Sequence, residues 1–340
     1  MKNTILFLFF FICLVAGAYL YFINQPSNQE LLYKELESKD GVQTMLIIKN
    51  GEIIEDHAFR NLPLEPHSND SFYQINSITK SIVSILIGIA IEEGFIESVE
   101  QSIEEYIPEI RDYENYDHLK KITIHDVLTM RTGLQWEVIN ESTYRSFSDR
   151  IPYVLNQPVE TDPGTRFSYN SGTSYLLSVI IGKSTGKDAL TYAEEKLFKP
   201  LNITKYRWGE NDKEGNPNGG RGMYLQPYDL AKIGTLMLHE GVWEGKQIVP
   251  SNWVKESTRT QLELITGISE GYGYKWYTAS HNNISYYLAN GAYGQRLYVI
   301  PELKIVAVFT ASIDDSKDPI YEKAVKRYII DGLGSGNYYE

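Results

Sequence analysis

Ser77 and Lys80 are the first residues in this chain whose types and spacing can do chemistry. In the run Ser77-Ile78-Thr79-Lys80 the two lie three apart, on one face of a helix, so the amine reaches the hydroxyl. The ten residues that follow, Ser81 to Ala90 (SIVSILIGIA), are apolar on every face and too short to cross a bilayer. Such a helix belongs in a large core. At its N-terminus the Ser77 N–H lacks an intrahelical acceptor and is available to an oxyanion. Helix-end potential and desolvation there both disfavour an ammonium. A neutral Lys80 can take the Ser77 proton as the hydroxyl attacks a carbonyl.

The bland alternative is that Ser77 caps the apolar helix, a role serine favours. The Ser-x-x-Lys spacing is also expected by chance roughly once or twice in a chain of this composition. A second match does occur, at Ser184 to Lys187, but it contains Gly186 and falls where a helix should end, which predicts an exposed C-terminal turn. Gly267-Ile-Ser-Glu-Gly271 has the form of an α/β-hydrolase nucleophile elbow. The residues after it are strand-like, and only His281 follows, with no acid between them. The six histidines, His57, His67, His118, His125, His239 and His281, form no close pair with metal-ligand spacing, so neither a metal nor another cofactor is implied.

The elements that must hold Ser77 and Lys80 come from the rest of the 340 residues, 42% hydrophobic and 13% aromatic, enough to bury a large core without disulfides. A net charge of −12 with no Lys/Arg-rich run excludes phosphate-backbone binding, so no nucleic-acid partner is expected. Glu30 to Lys39 reads as a short helix. Gln43 to Lys49 and Glu52 to His57 read as strands joined at Asn50-Gly51, the strongest short hairpin signal. Ser77 to Glu263 is mainly helical in pattern. Strands return at Tyr272 to Tyr277, Ile284 to Leu288, Gln295 to Ile300 and Ile305 to Thr310, before a final helix from Asp318 to Ile330. Strands at both ends around a helical insert predict an α/β (α+β) fold with one antiparallel sheet built from both chain ends. The sheet lobe is expected at about 29–75 and 270–335, and the helical lobe at about 76–265.

Residues Ile5 to Ile23 form a nearly unbroken apolar run, long enough to cross a bilayer. Residues 1–24 therefore read as a membrane anchor or a signal peptide. Ala16-Gly17-Ala18 has the form of a cleavage site, but the run continues past it, which favours the anchor. Either way the body is expected outside the cytoplasm, on the periplasmic or cell-surface side, tethered or secreted. The single cysteine, Cys13, lies in this segment, so the body has no intrachain disulfide.

Several ordered motifs add to this reading. Tyr73 to Ser84 (YQINSITKSIVS), Ile122 to Trp136 (ITIHDVLTMRTGLQW), Pro163 to Gly172 (PGTRFSYNSG), Gly222 to Gly234 (GMYLQPYDLAKIG) and Gly241 to Val249 (GVWEGKQIV) resemble, in order and spacing, the serine β-lactamase and penicillin-binding family. The likeness is nearest to its class C and esterase-like branch, which includes carboxylesterases and nylon-oligomer hydrolases. The resemblance implies a β-lactamase/DD-peptidase-like fold, with Ser77 as nucleophile, Lys80 as base and Tyr169 as proton relay. It implies an oxyanion hole from the N–H groups of Ser77 and Ala292, with Ser171 and Gly291 beside the substrate; Trp136 and Tyr293 are candidate walls of the acyl pocket, which aromatic packing alone explains equally well.

Two departures bear on substrate. Asn170 then Ser171 follow Tyr169, where many β-lactamases have Ser then Asn; this form is similar to the nylon-oligomer hydrolase and carboxylesterase relatives. The Lys/His-Thr-Gly strand is replaced by Ala289 to Ala292 (ANGA), which removes the cation that meets a substrate carboxylate; Arg296 lies on the same side of the strand as Ala292 and is a displaced candidate. The expected function is a serine hydrolase acting through an acyl-enzyme on a small ester, amide or peptide-like substrate. D-Ala-D-Ala carboxypeptidase or β-lactamase is the alternative enzyme, and a catalytically silent binding or sensor module the alternative of another class.

Overall fold

The structure, a computed structural model, describes residues 26–39, 41–59, 71–313, 320–336 and 338. The apolar segment 5–23 lies outside the described residues. Among those described, no helix is long and apolar enough to cross a membrane. The chain divides into a large unit, residues 40–322, and a small one formed by residues up to 39 with those from 323 onward. In the small unit, helix α1 (Asn28–Glu37) starts at a capping box on Ser27 and Glu30, and the Gln29 N–H donates to the Tyr338 carbonyl at 3.0 Å.

The large unit is built on an eight-stranded antiparallel sheet. Its strands are β1 (Val42–Lys49), β2 (Glu52–Ala58), β3 (Leu262–Glu263), β4 (Gly271–Tyr272), β5 (Tyr277–His281), β6 (Ile284–Gly291), β7 (Gln295–Ile300) and β8 (Ile305–Ala311), in the order β2-β1-β8-β7-β6-β5-β4-β3. The first two strands thus join the last six, as the sequence predicts. Asn50 and Gly51 both take positive φ, 53° and 83°, the conformation a tight hairpin asks of its two central residues. The edge strand β2 carries Glu52 and Asp56, charges that discourage pairing with a further strand.

The expected strand Tyr272 to Tyr277 is instead two strands of a hairpin, with Tyr272 paired to Tyr277 across it. Between them Lys275 turns the chain at φ 66°. Aromatic residues suit either conformation, so composition alone did not show the turn.

Residues between β2 and β3 supply the helices around the site. Helix α2 (Ile78–Glu92) is buried from Ile78 through Ala90, as its all-round apolarity requires. Each fully buried Ile or Leu contributes about 1.5–3 kcal/mol. Gly88 lets it approach the helix that carries Trp253, because a Cβ there would lie 2.3 Å from the Trp253 ring. Helix α3 (Ser171–Thr185) is capped by Asn170, whose Oδ1 accepts the Thr173 N–H at 2.9 Å. It ends at Gly186 with φ 70°, so Ser184 to Lys187 is the C-terminal turn predicted for it. Helix α4 (Pro227–Leu238) lies on the sheet, where a Cβ on Gly234 would meet Val306 at 2.6 Å. Helix α5 (Ser251–Thr258) leads back to β3.

Candidate active site

A short three-stranded sheet fixes the approach to Ser77. Tyr73–Gln74 pairs with Met223–Leu225, which pairs with Tyr206–Trp208. Asn76 then takes φ 49°, a left-handed conformation asparagine tolerates, and swings Ser77 onto the first turn of α2. Ser77 makes no capping bond through its side chain, so the bland reading of it as a helix cap fails.

Lys80 Nζ instead sits 2.9 Å from Ser77 Oγ and donates to the Gly220 carbonyl at 2.7 Å. The close approach of that carbonyl depends on absent side chains, since a Cβ on Gly220 would stand 2.8 Å from the Ser171 carbonyl. Lys80 is 2% exposed. Burial lowers its pKa to about 8, with Glu141 raising it and Arg221 lowering it. The Tyr169 ring faces the amine, 4.8 Å from Nζ to centroid. Burial pushes the Tyr169 phenol well up, against a hydrogen bond with Ser77 that pulls it down. The tyrosine is therefore a proton-bearing phenol at neutral pH, and Lys80 is the group within reach of Ser77 that can be neutral.

Opposite Ser77, the β6–β7 turn brings Ala292 to the site. Asn76 Nδ2 donates to the Ala292 carbonyl at 2.8 Å, tying that turn to the turn before the nucleophile. Gly291 permits this, because a Cβ there would lie 2.4 Å from the Ile75 carbonyl. Among the described residues, neither the Ser77 nor the Ala292 N–H donates to a protein acceptor. Two such N–H groups at one cleft can receive an oxyanion.

The cleft itself has a volume of about 550 Å³, and its walls include Ser77, Tyr169, Ser171, Ala292 and Tyr293, together with Asn76, Val138, Glu141, Arg221, Tyr277 and Asn290. Ser77, Lys80, Tyr169, Ser171, Ala292 and Tyr293 are thus brought together as expected. Trp136 is not in the wall: it stands behind Glu141, donating its indole N–H to Oε1 at 2.8 Å and packing on Gly172. Gly291 acts by having no side chain. Ala289 is fully buried in the core.

Arg296 is not a displaced substrate cation. It is 3% exposed, its Nη1 donates to the carbonyls of Gly291 and Gln295 at 2.9 Å each, and Nε lies 3.7 Å from Glu322. Among the described residues, the cation in the cleft wall is Arg221, with Nε 3.3 Å from Glu210 Oε1. Sequence reasoning missed both Arg221 and Glu141. Glu141 Oε1 also accepts the Ser171 N–H at 3.1 Å, and no ion pair engages this carboxylate among the described residues. Ser269, centre of the elbow-like motif, lies in a hairpin loop and donates to the Leu264 carbonyl at 2.9 Å. His125 packs against Tyr274, away from the cleft.

The sequence matches the Beta-lactamase family over residues 37–329, and the chain belongs to that family. It is 23% identical over 296 residues to 6-aminohexanoate-dimer hydrolase of Paenarthrobacter ureafaciens, covering 79% of this chain and 72% of that protein. Among solved structures, the octameric penicillin-binding protein homologue from Pyrococcus abyssi superposes with a TM-score of 0.73 at 20% identity, over 92% of this chain and 78% of that one. A class C beta lactamase from Rhodobacter sphaeroides gives 0.69 at 15% identity, over 90% and 98%. At these identities the structural likeness establishes the β-lactamase/transpeptidase-like fold alone. Family membership and the hydrolase-named relative support a hydrolase.

Proposed function

We propose that the protein is a serine hydrolase that opens a neutral or cationic ester or amide through an acyl-enzyme on Ser77. The observation that carries the reading is the 2.9 Å contact between Ser77 Oγ and an amine whose pKa burial has drawn down to about 8. Neutral Lys80 takes the hydroxyl proton as Oγ bonds to the substrate carbonyl carbon, and the carbonyl oxygen, now an oxyanion, accepts the N–H groups of Ser77 and Ala292. The tetrahedral centre collapses as the Tyr169 hydroxyl donates its proton to the leaving oxygen or nitrogen, and Lys80 returns a proton to Tyr169. Water then attacks the acyl ester, gives up its proton along the same path and frees Ser77.

The substrate class follows from charge. No cation stands at Ala289, Arg296 is occupied, and the Glu141 carboxylate, in no ion pair among the described residues, repels a substrate carboxylate placed near Ser77. The relative named as a 6-aminohexanoate-dimer hydrolase supports the hydrolase reading. Export through residues 5–23 belongs to the same proposal.

Arg221 in the cleft wall favours a second reading, D-Ala-D-Ala carboxypeptidase or β-lactamase activity, because its guanidinium can meet a carboxylate. Hydrolysis of p-nitrophenyl esters beside a chromogenic cephalosporin, with Ser77→Ala as control, separates the two. Ser77-dependent ester turnover with little cephalosporin opening supports the first reading, and rapid cephalosporin opening selects the second. Covalent labelling by a fluorophosphonate without turnover of either substrate would select a silent binding module.

A further inference from the structure

Lys275 lies outside the cleft wall, yet two features of it run against ordinary protein chemistry. It holds φ 66°, a backbone region that glycine fills without strain and lysine does not. Its side chain is 2% exposed, and no carboxylate pairs with it among the described residues. A buried amine is normally kept only with a partner charge.

The bonds it makes explain where it acts. Nζ lies within hydrogen-bond reach of the Val127 carbonyl at 2.5 Å, Met130 Sδ at 3.1 Å and Ser174 Oγ at 3.1 Å, three polar atoms that fix the orientation of the amine. Met130 in turn holds both flanks of Tyr169: its carbonyl accepts the Ser168 N–H at 2.8 Å, and its sulfur accepts the Asn170 N–H at 3.5 Å. Ser174 Oγ reaches the Asn170 carbonyl at 3.0 Å. On the other side, the Lys275 carbonyl accepts Ser81 Oγ at 2.7 Å, and Ser81 follows Lys80 directly on α2.

We propose that Lys275 is a positioning residue of the hydrolase, tying the loop that carries Tyr169 to the helix that carries Lys80, and so fixing the proton path between them. The inference rests on the acyl-transfer reading of Ser77, Lys80 and Tyr169. Burial first and the Lys80 charge second push its pKa well below the ordinary range, and the charges that act on Lys80 are Glu141 and Arg221, so Lys275 acts through its bonds.

The other charged groups nearby are accounted for. Glu141 and Arg221 act on Lys80 from the cleft wall. On the segment that carries Val127 and Met130, Asp126 is bonded to Thr123, His125 packs on Tyr274, and Arg131 Nε donates to Thr129.

The test compares the wild type with Lys275→Met, which keeps length and apolar bulk and removes the donors. The readouts are steady-state kinetics on p-nitrophenyl butyrate, with active sites counted by fluorophosphonate titration, and thermal unfolding. The expected result is a loss of kcat per active site of tenfold or more with KM within twofold. A purely structural role would lower the melting temperature and the number of active sites and leave kcat per site unchanged. A kcat per site within twofold of wild type overturns the proposal.

Should Lys275→Met fail to fold, Met130→Leu and Ser174→Ala each remove one acceptor. Each is expected to lower kcat about threefold at constant KM, and no loss in either overturns the proposal. Absence of Ser77-dependent turnover in the wild type sinks the hydrolase reading itself, and this inference with it. An active wild type with an unaffected Lys275→Met sinks this inference alone.

Discussion

The sharpest consequence of the site concerns pH. If Ser77 is activated by neutral Lys80 and the pKa of that amine is about 8, then kcat/KM must rise with pH along a limb centred there. Activity relative to the plateau should be roughly 1% at pH 6, roughly 9% at pH 7 and roughly half at pH 8, following the fraction of deprotonated amine. Two substitutions in the cleft wall should move the limb in opposite directions. Glu141 raises the lysine's pKa and Arg221 lowers it, so Glu141→Gln should shift the limb down and Arg221→Gln should shift it up. The assay is the initial rate on a neutral p-nitrophenyl ester at substrate concentrations well below KM, corrected for spontaneous hydrolysis at each pH. A flat profile from pH 6 to 9 would refute the role of Lys80. Shifts of the same sign in both variants would refute the electrostatic account.

Further outcomes follow from the same geometry. A lysine whose folded pKa falls from 10.5 to about 8 destabilises the protein below pH 8, by about 3 kcal/mol, and that cost vanishes as pH rises past the unfolded value. Lys80→Met loses two hydrogen bonds worth about 1 kcal/mol each, so urea unfolding at pH 7 should find the inactive variant more stable by about 1 kcal/mol, the advantage disappearing at about pH 9 and reversing to about 1 kcal/mol less stable at pH 10. Asn76→Ala cuts the 2.8 Å tie to the Ala292 carbonyl and should lower kcat about tenfold with little change in KM, because the oxyanion donors lose their register; an unchanged kcat would exclude Ala292 as a donor. Gly88→Ala places a Cβ 2.3 Å from the Trp253 ring and should cost about 1–3 kcal/mol in unfolding experiments, with the kinetics of the folded fraction unaltered.

The parts of this site that were legible in the sequence are the local ones. Ser77 and Lys80 sit three apart at the head of an apolar helix, and both spacing and burial are written into a dozen consecutive residues. The Asn50-Gly51 hairpin is legible for the same reason. Tyr169 needed more, and came through the likeness of its surroundings to a family.

What stayed hidden depends on distant chain segments. The Gly220 carbonyl meets Lys80 across 140 residues, and Asn76 meets Ala292 across 216. No spacing rule reaches that far. Arg296 illustrates the opposite error: strand alternation put it on the same side as Ala292, but its guanidinium is engaged by Gly291, Gln295 and Glu322. Trp136 was placed near the substrate by its type, and the carboxylate of Glu141 stands between it and the cleft. Lys275 lies in a run that reads as a strand, and its buried bonds reach segments 101 to 148 residues away.

The central claim is that Ser77 carries the acyl group. Intact-mass spectrometry of protein quenched with acid during turnover of a slowly released ester, such as p-nitrophenyl trimethylacetate, tests it directly. The account predicts a mass increase equal to one acyl group, mapped by peptide digestion to Ser77, absent from Ser77→Ala and decaying once substrate is exhausted. An acyl group on another residue, or a Ser77→Ala variant that still turns the ester over, would contradict it.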